Sequence, residues 1–295
     1  MTEREKAAEA IHADMACEEA FARIVGDCSD EIDSHLFVFF GSEDESGPHK
    51  ARVALRRLTT ALDAFAPILR RKAGARARRD AKEIFRALGR VRDADVFLAA
   101  HGGGEGGKED RALTRETEAL REAVRRELRA NKAVAYAPAL MRMIAEGGIL
   151  KEGAGGRALR AAPVGDLAAR ALTAAWSAGV AAGDAPFGED VEAMHDFRKD
   201  MKTLRYLSEF FSPLWPGEDW PRFRALLQDL QDELGLLNDL ANARARGRVG
   251  ESGKEDKARA RSAALWQELR ARGPFWHAAP RALAEAAPVP PEEAG

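Results

Sequence analysis

Long stretches dominated by Ala, Leu, Arg and Glu fill this chain, and glycine- and proline-rich breakers cut them apart. All four residue types favour the helix. Val and Ile are sparse, and no alternating apolar and polar segment is bounded by turn residues, so strands have no pattern to form on. Breakers at Gly41–Pro48, Gly102–Gly107, Gly147–Gly156, Gly183–Gly188, Ser212–Asp219 and Gly247–Gly253 leave about eight helical segments, with a further short turn expected at Lys72–Gly74. Short connections between amphipathic helices favour antiparallel bundles. The expectation is an all-α protein of two antiparallel four-helix bundles, residues 1–147 and 157–286, with a frayed tail at 287–295.

Charge is distributed unevenly. Met1–Pro48 carries 13 acidic residues against three basic ones, whereas His49–Arg92 carries 14 basic against three acidic. The whole chain is nearly neutral, at −2. A concentrated positive field argues for an anionic partner and against a neutral scaffold. The first 20 residues are charged and lack an apolar signal region, and no run of 18 apolar residues occurs. Two cysteines, Cys17 and Cys28, have no metal-site spacing and are too few to staple 295 residues. A reducing, cytoplasmic setting without membrane contact is expected.

Two segments resemble each other. PHKARVALRRLTTALDAF spans Pro48–Phe65 and MHDFRKDMKTLRYLSEFF spans Met194–Phe211. His49 matches His195, Arg52 matches Arg198, Arg56 matches Lys202, and Phe65 matches Phe211. Downstream, LGRVRDADV begins at Leu88 and LGLLNDLAN at Leu234, so 40 residues separate each histidine from the glycine of its partner motif. This equal spacing reads as an internal repeat, a pseudo-twofold pair of bundles. Arg92 in the first copy answers to Asn238 in the second.

At about 100° per residue, Arg52 and Arg56 fall within about 60° of His49, while Leu55, Leu58, Leu62, Phe65 and Leu69 cluster on the opposite side. The second segment repeats this, with His195, Arg198, Lys199, Lys202, Arg205 and Tyr206 opposite Phe197, Met201, Leu204, Phe211 and Trp215. Like charges at i,i+4 cost roughly 0.2–0.5 kcal/mol per pair, and the first helix has no acid between His49 and Ala61 to relieve them. Such rows suit anion binding. Arginine presents a planar fork to phosphate oxygens, lysine a mobile charge, and histidine a donor whose protonation a polyanion favours. Successive positions rise about 1.5 Å per residue, so a row can follow successive phosphates. Two rows facing each other would form a cationic channel.

These segments resemble the CHAD family, the conserved histidine α-helical domain. The resemblance rests on HxxRVxxRRL at His49–Leu58, HxxRxxxKxLRY at His195–Tyr206, LGxxRDADV at Leu88–Val96, and the LQDxLGxLND region within Leu227–Leu240, and it extends over roughly Ala7–Arg272. It implies two four-helix bundles and a basic central channel that binds inorganic polyphosphate, with association to polyphosphate granules. Carried onto this sequence, it nominates His49, Arg52, Arg56, Arg57, His195, Arg198, Lys202, Arg205 and Tyr206. Lys199 is added because it shares the row, and Arg79, Lys82 and Arg86 because they would extend the basic surface. Thr59 and Thr203 stand where a basic residue is usual; each offers a hydroxyl donor without charge.

Other readings carry less. Glu192 and His195 make one ExxH, but a carboxylate-bridged metal site in a bundle needs a second, and Ser46 stands where its glutamate would be. His195–Asp196 resembles the HD pair of a metal-dependent phosphohydrolase without an evident source of the remaining ligands. No catalytic residue, metal or cofactor is therefore assigned, and Gly102–Gly107 lacks the GK[ST] of a P-loop. Duplex DNA needs an exposed base-reading helix, which a ridge recessed between bundles does not offer. Arg90, Arg92 and Asp93, in and beside the RDAD run, read as an ion-pair network, and the five tryptophans as packing residues.

Overall fold

The structure, a computed structural model, describes residues 11–101, 108–188, 190–245 and 252–276. Among these residues it is all-α, with ten α-helices: α1 (Cys17–Gly41), α2 (Ser46–Ala64), α3 (Arg71–His101), α4 (Lys108–Ala130), α5 (Tyr136–Ala145), α6 (Gly153–Ala161), α7 (Val164–Ala181), α8 (Val191–Phe211), α9 (Asp219–Ala245) and α10 (Ser252–Arg272). Prolines mark three of the short 3₁₀ turns between them, at Ala66–Ile68, Ala185–Phe187 and Ser212–Leu214. No helix among the described residues is long and apolar enough to cross a membrane. The breakers Gly102–Gly107 and most of Gly247–Gly253, and the tail 287–295, lie outside the described residues.

Two compact units emerge, Ala16–Ala162 and Met1–Met15 with Pro163–Gly295. The division therefore falls at 162/163 and not within Gly147–Gly156, and the start of the chain groups with the second unit. Hydrogen bonds account for this: the Val164 and Gly165 amides donate to the Met15 and Ala13 carbonyls at 2.9 and 3.0 Å. The expected flexible stretch after Gly147 contains α6, and the expected turn at Lys72–Gly74 is already helical. The chain turns just before it. There Leu69 bridges Leu150, the Arg70 amide donates to Ile149 O, and the Lys151 amide donates to Ile68 O, each at 2.9 Å.

In the first unit α1 packs along α2. Phe21, Ile32, Leu36 and Phe39 and, opposite, Leu55, Leu58, Leu62 and Phe65 are all buried, and the Phe21 and Phe65 rings lie 5.4 Å apart. Gly47 sits where the two helices approach closely; a Cβ there would lie 2.9 Å from the Phe39 amide nitrogen. Leu36–Phe40 is thus the end of the first helix, although Phe37 points outward at 80% exposure. In the second unit an aromatic cluster fills the space between helices. Trp176 lies 5.3 Å from Trp266, Phe197 5.1 Å from Trp266, and Phe275 5.0 Å from Trp276, with tilted or edge-on rings as their quadrupoles prefer. The Trp276 indole donates to Thr173 Oγ1 at 3.1 Å.

Both cysteines are buried on α1, and burial pushes the Cys28 thiol up to about 12. Thiolate is the reactive form, so neither side chain should react with a maleimide or aromatic disulfide reagent at pH 8. Two thiols should titrate once the chain is unfolded in guanidinium. Rapid labelling of the native protein would contradict the packing of α1.

Candidate basic site

On α2 the sequence pattern translates directly into burial. Leu55, Leu58 and Leu62 face the core, His49 is exposed in the first turns, and Arg52, Arg56 and Arg57 are half-buried. Half-burial matters because a guanidinium laid on protein has fewer conformations to lose when an anion arrives. Arg52 shows how this is done. Its Nη1 donates to the Phe85 carbonyl on α3 at 2.9 Å, and its guanidinium lies 4.1 Å from the centre of the Phe85 ring. Arg56 covers the same ring at 5.0 Å. Burial, with Arg56 and Arg92 nearby, lowers the pKa of Arg52, while Asp93 opposes the shift. Packing of α2 on α3 thus brings two cations together over one aromatic ring.

Arg57 turns the other way. Its Nε stands 3.7 Å from Glu31 Oε2 on α1, so it joins the α1–α2 contact and not the row. The expected extension on α3 divides similarly. Arg79 is exposed beside Asp80 at 3.9 Å, and Lys82 is exposed close enough to Asp63 to stabilise its carboxylate. Arg86 lines a cavity of about 1100 Å³ between α3, α4 and α5, together with Arg90, Lys132, Tyr136 and Leu140. That wall is turned by about 100° from the Phe85 face, one residue's step around the helix.

On α8 the core face again holds Phe197, Met201, Leu204 and Phe211, all buried. Asp190 caps the helix, accepting from the Glu192 and Ala193 amides at 2.9 and 3.0 Å, as an N-cap carboxylate should. His195 and Lys199 are exposed, and Arg198, Lys202 and Arg205 are half-buried. Lys199 is paired with Asp196 at 2.9 Å and Arg205 with Glu209 at 3.1 Å. Tyr206, expected on the cationic row, is buried at 3% exposure and supplies the ring beneath the Arg205 guanidinium, 4.9 Å away. Between α8 and α9, Gln231 Nε2 donates to the Met201 carbonyl at 2.8 Å.

Neither threonine offers its hydrogen outward. Thr59 Oγ1 donates to Arg56 O at 2.9 Å and Thr203 Oγ1 to Lys199 O at 3.2 Å, the local back-bonding that short hydroxyls make in helices. The charges in and beside the RDAD run form separate pairs. Arg90 joins Glu127, Arg92 Nη1 lies 3.9 Å from Glu45 Oε2, and Asp95 binds Arg121 at 2.8 Å. The Asp95–Arg121 pair is buried, and its arginine on α4 was not singled out in the sequence. No group of three or more His, Cys, Asp or Glu side chains among the described residues is placed to hold a metal ion.

The family model described as the CHAD domain matches residues 23–248. The chain is a member of the CHAD family. Among solved structures, the crystal structure of the CHAD domain from the plant Ricinus communis matches with a TM-score of 0.65 at 23% identity, covering 92% of this chain and 96% of that one. PptA from Streptomyces chartreusis matches with a TM-score of 0.45 at 16% identity, covering 88% and 96%. A search of curated proteins finds no match. The CHAD match takes in both histidine helices and both glycine motifs.

Proposed function

We propose that this CHAD protein binds inorganic polyphosphate on the cationic faces of α2 and α8, and that it does so without turning it over. The observation that carries this reading is the placement of Arg52 and Arg56 on Phe85. Two like charges are held half-buried on one ring, an arrangement that an incoming anion relieves. Membership in a family that the sequence motifs associate with polyphosphate supports the choice of anion. The contacts are those suited to phosphate oxygens, guanidinium forks with a lysine and an imidazole beside them. His49, Arg52 and Arg56 act in the first unit; His195, Arg198, Lys199, Lys202 and Arg205 act in the second. Tyr206 serves the second row through packing, Arg57 belongs to the α1–α2 contact, and Arg79, Lys82 and Arg86 add a diffuse positive field. Association with cytoplasmic polyphosphate granules follows from the same reading.

A competition titration tests the choice of ligand. Long-chain polyphosphate should displace a fluorescent polyphosphate probe at far lower phosphate concentration than duplex DNA does at the same ionic strength, because a thin strand can enter between side chains that a duplex cannot reach. The bound polymer should keep its length, with no orthophosphate released on incubation with magnesium or manganese. Stronger displacement by DNA would favour a nucleic-acid partner, and sustained orthophosphate release would favour a phosphohydrolase.

A further inference from the structure

The two glycines that the sequence places in register, Gly89 and Gly235, have different surroundings. A Cβ on Gly89 would collide with Nη1 of Arg52, whereas around Gly235 nothing lies close enough to meet one. Arg52 can therefore reach the Phe85 carbonyl and ring only because position 89 has no side chain. The atom in the way is the far end of a flexible chain, so a methyl group would displace the guanidinium and leave the helices where they are. Arg92 follows on the same side of α3, three residues beyond Gly89 and seven beyond Phe85, and reaches toward Glu45 at the start of α2.

We infer that Gly89 is a positioning residue for anion binding: it lets Arg52 lie across α3 so that Arg52, Arg56 and Arg92 form a preorganised guanidinium site for adjacent phosphates, whereas no guanidinium lies against Gly235 in the second unit. The inference rests on the polyphosphate reading above and adds to it. Arg92, assigned from sequence to a structural ion pair, becomes a ligand whose long contact to Glu45 gives way to phosphate. The second unit has Asn238 at the corresponding position and Gln231, in place of Phe85, bonded to backbone.

The experiment compares Gly89→Ala, Gly235→Ala and Arg92→Asn with the parent and with Arg52→Ala/Arg56→Ala. The full chain is titrated with polyphosphate of defined length over a range of salt concentrations, and melting temperature is recorded without ligand. Gly89→Ala should bind about tenfold more weakly, the loss of one well-placed charged hydrogen bond, with a melting temperature close to the parent's because the helix propensity gained with alanine offsets the lost Arg52–Phe85 contact. A merely structural role for Gly89 would lower both together. Gly235→Ala should bind like the parent. Arg92→Asn should weaken binding and reduce the salt slope by about 0.7, one phosphate contact on a single strand. It also tests the site if Gly89→Ala fails to fold. Parental affinity in Arg92→Asn and in folded Gly89→Ala, with the Arg52/Arg56 variant impaired, would overturn the inference and leave the polyphosphate reading standing. Parental affinity in the Arg52/Arg56 variant as well would remove the first-unit site altogether.

Discussion

Removing Arg52 and Arg56 together should weaken polyphosphate binding by about 100-fold at low salt. Each guanidinium–phosphate contact is a charged hydrogen bond contributing about 1.5–3 kcal/mol, and about 1.4 kcal/mol corresponds to a factor of ten. Two such contacts give at least the stated loss. The salt dependence should fall in step, by about 1.4 in the slope of log affinity against log salt, because two fewer counterions are displaced. The matched Arg198→Ala/Lys202→Ala variant should show a loss of similar size if α8 contributes equally. A loss confined to one variant would assign binding to that unit alone. Arg57→Ala is the control, since that side chain faces Glu31 across α1 and α2; its affinity should stay within about twofold of the parent. Isothermal titration with one chain length, repeated at three salt concentrations, measures all of this. Unchanged affinity in both double variants would falsify the proposed function.

The largest effect on stability should come from Arg121 and Asp95. Their ion pair joins α3 to α4 at 2.8 Å, with side-chain exposures of 4% and 2%. Arg121 also reaches Glu43 at 3.3 Å. Beside it Arg125 donates to the Phe39 carbonyl and Glu43 carboxylate at 2.9 and 2.8 Å, satisfying backbone at the end of α1. Truncating one partner of a buried pair leaves the other charge in a poorly solvating place, which costs about 3–5 kcal/mol. A folded protein typically has only about 5–15 kcal/mol to lose. Arg121→Ala and Asp95→Ala should each shift the urea midpoint strongly, and the double variant should lose less than the sum of the two. Replacing the pair by Met and Leu should recover most of the loss, because no uncompensated charge remains. Far-UV circular dichroism follows the change; tryptophan emission reports the second unit, where all five tryptophans lie. Additive single and double losses would show that the pair is not coupled.

Some of this molecule was legible before any coordinates. Helix content follows from composition, and the buried faces of α2 and α8 follow from the spacing of Leu55, Leu58 and Leu62 and of Phe197, Met201 and Leu204. These are local properties: a helix turns by a fixed angle per residue, so sequence position decides which side chains share a face. The placement of Arg52 and Arg56 on one side of α2 was legible for the same reason.

What sequence position could not decide was which cations belong to the surface and which are engaged by another helix. Arg57 and Arg56 are neighbours, yet one turns to Glu31 and the other to Phe85. Arg86 follows Phe85 directly and lines a cavity on another wall. Tyr206 continues the cationic row in sequence and is buried. The role of Gly89 depends on an arginine 37 positions earlier, and that of Asp95 on one 26 positions later. Local periodicity assigns each side chain a direction on its own helix; only the packing of one helix against another determines what stands there to meet it.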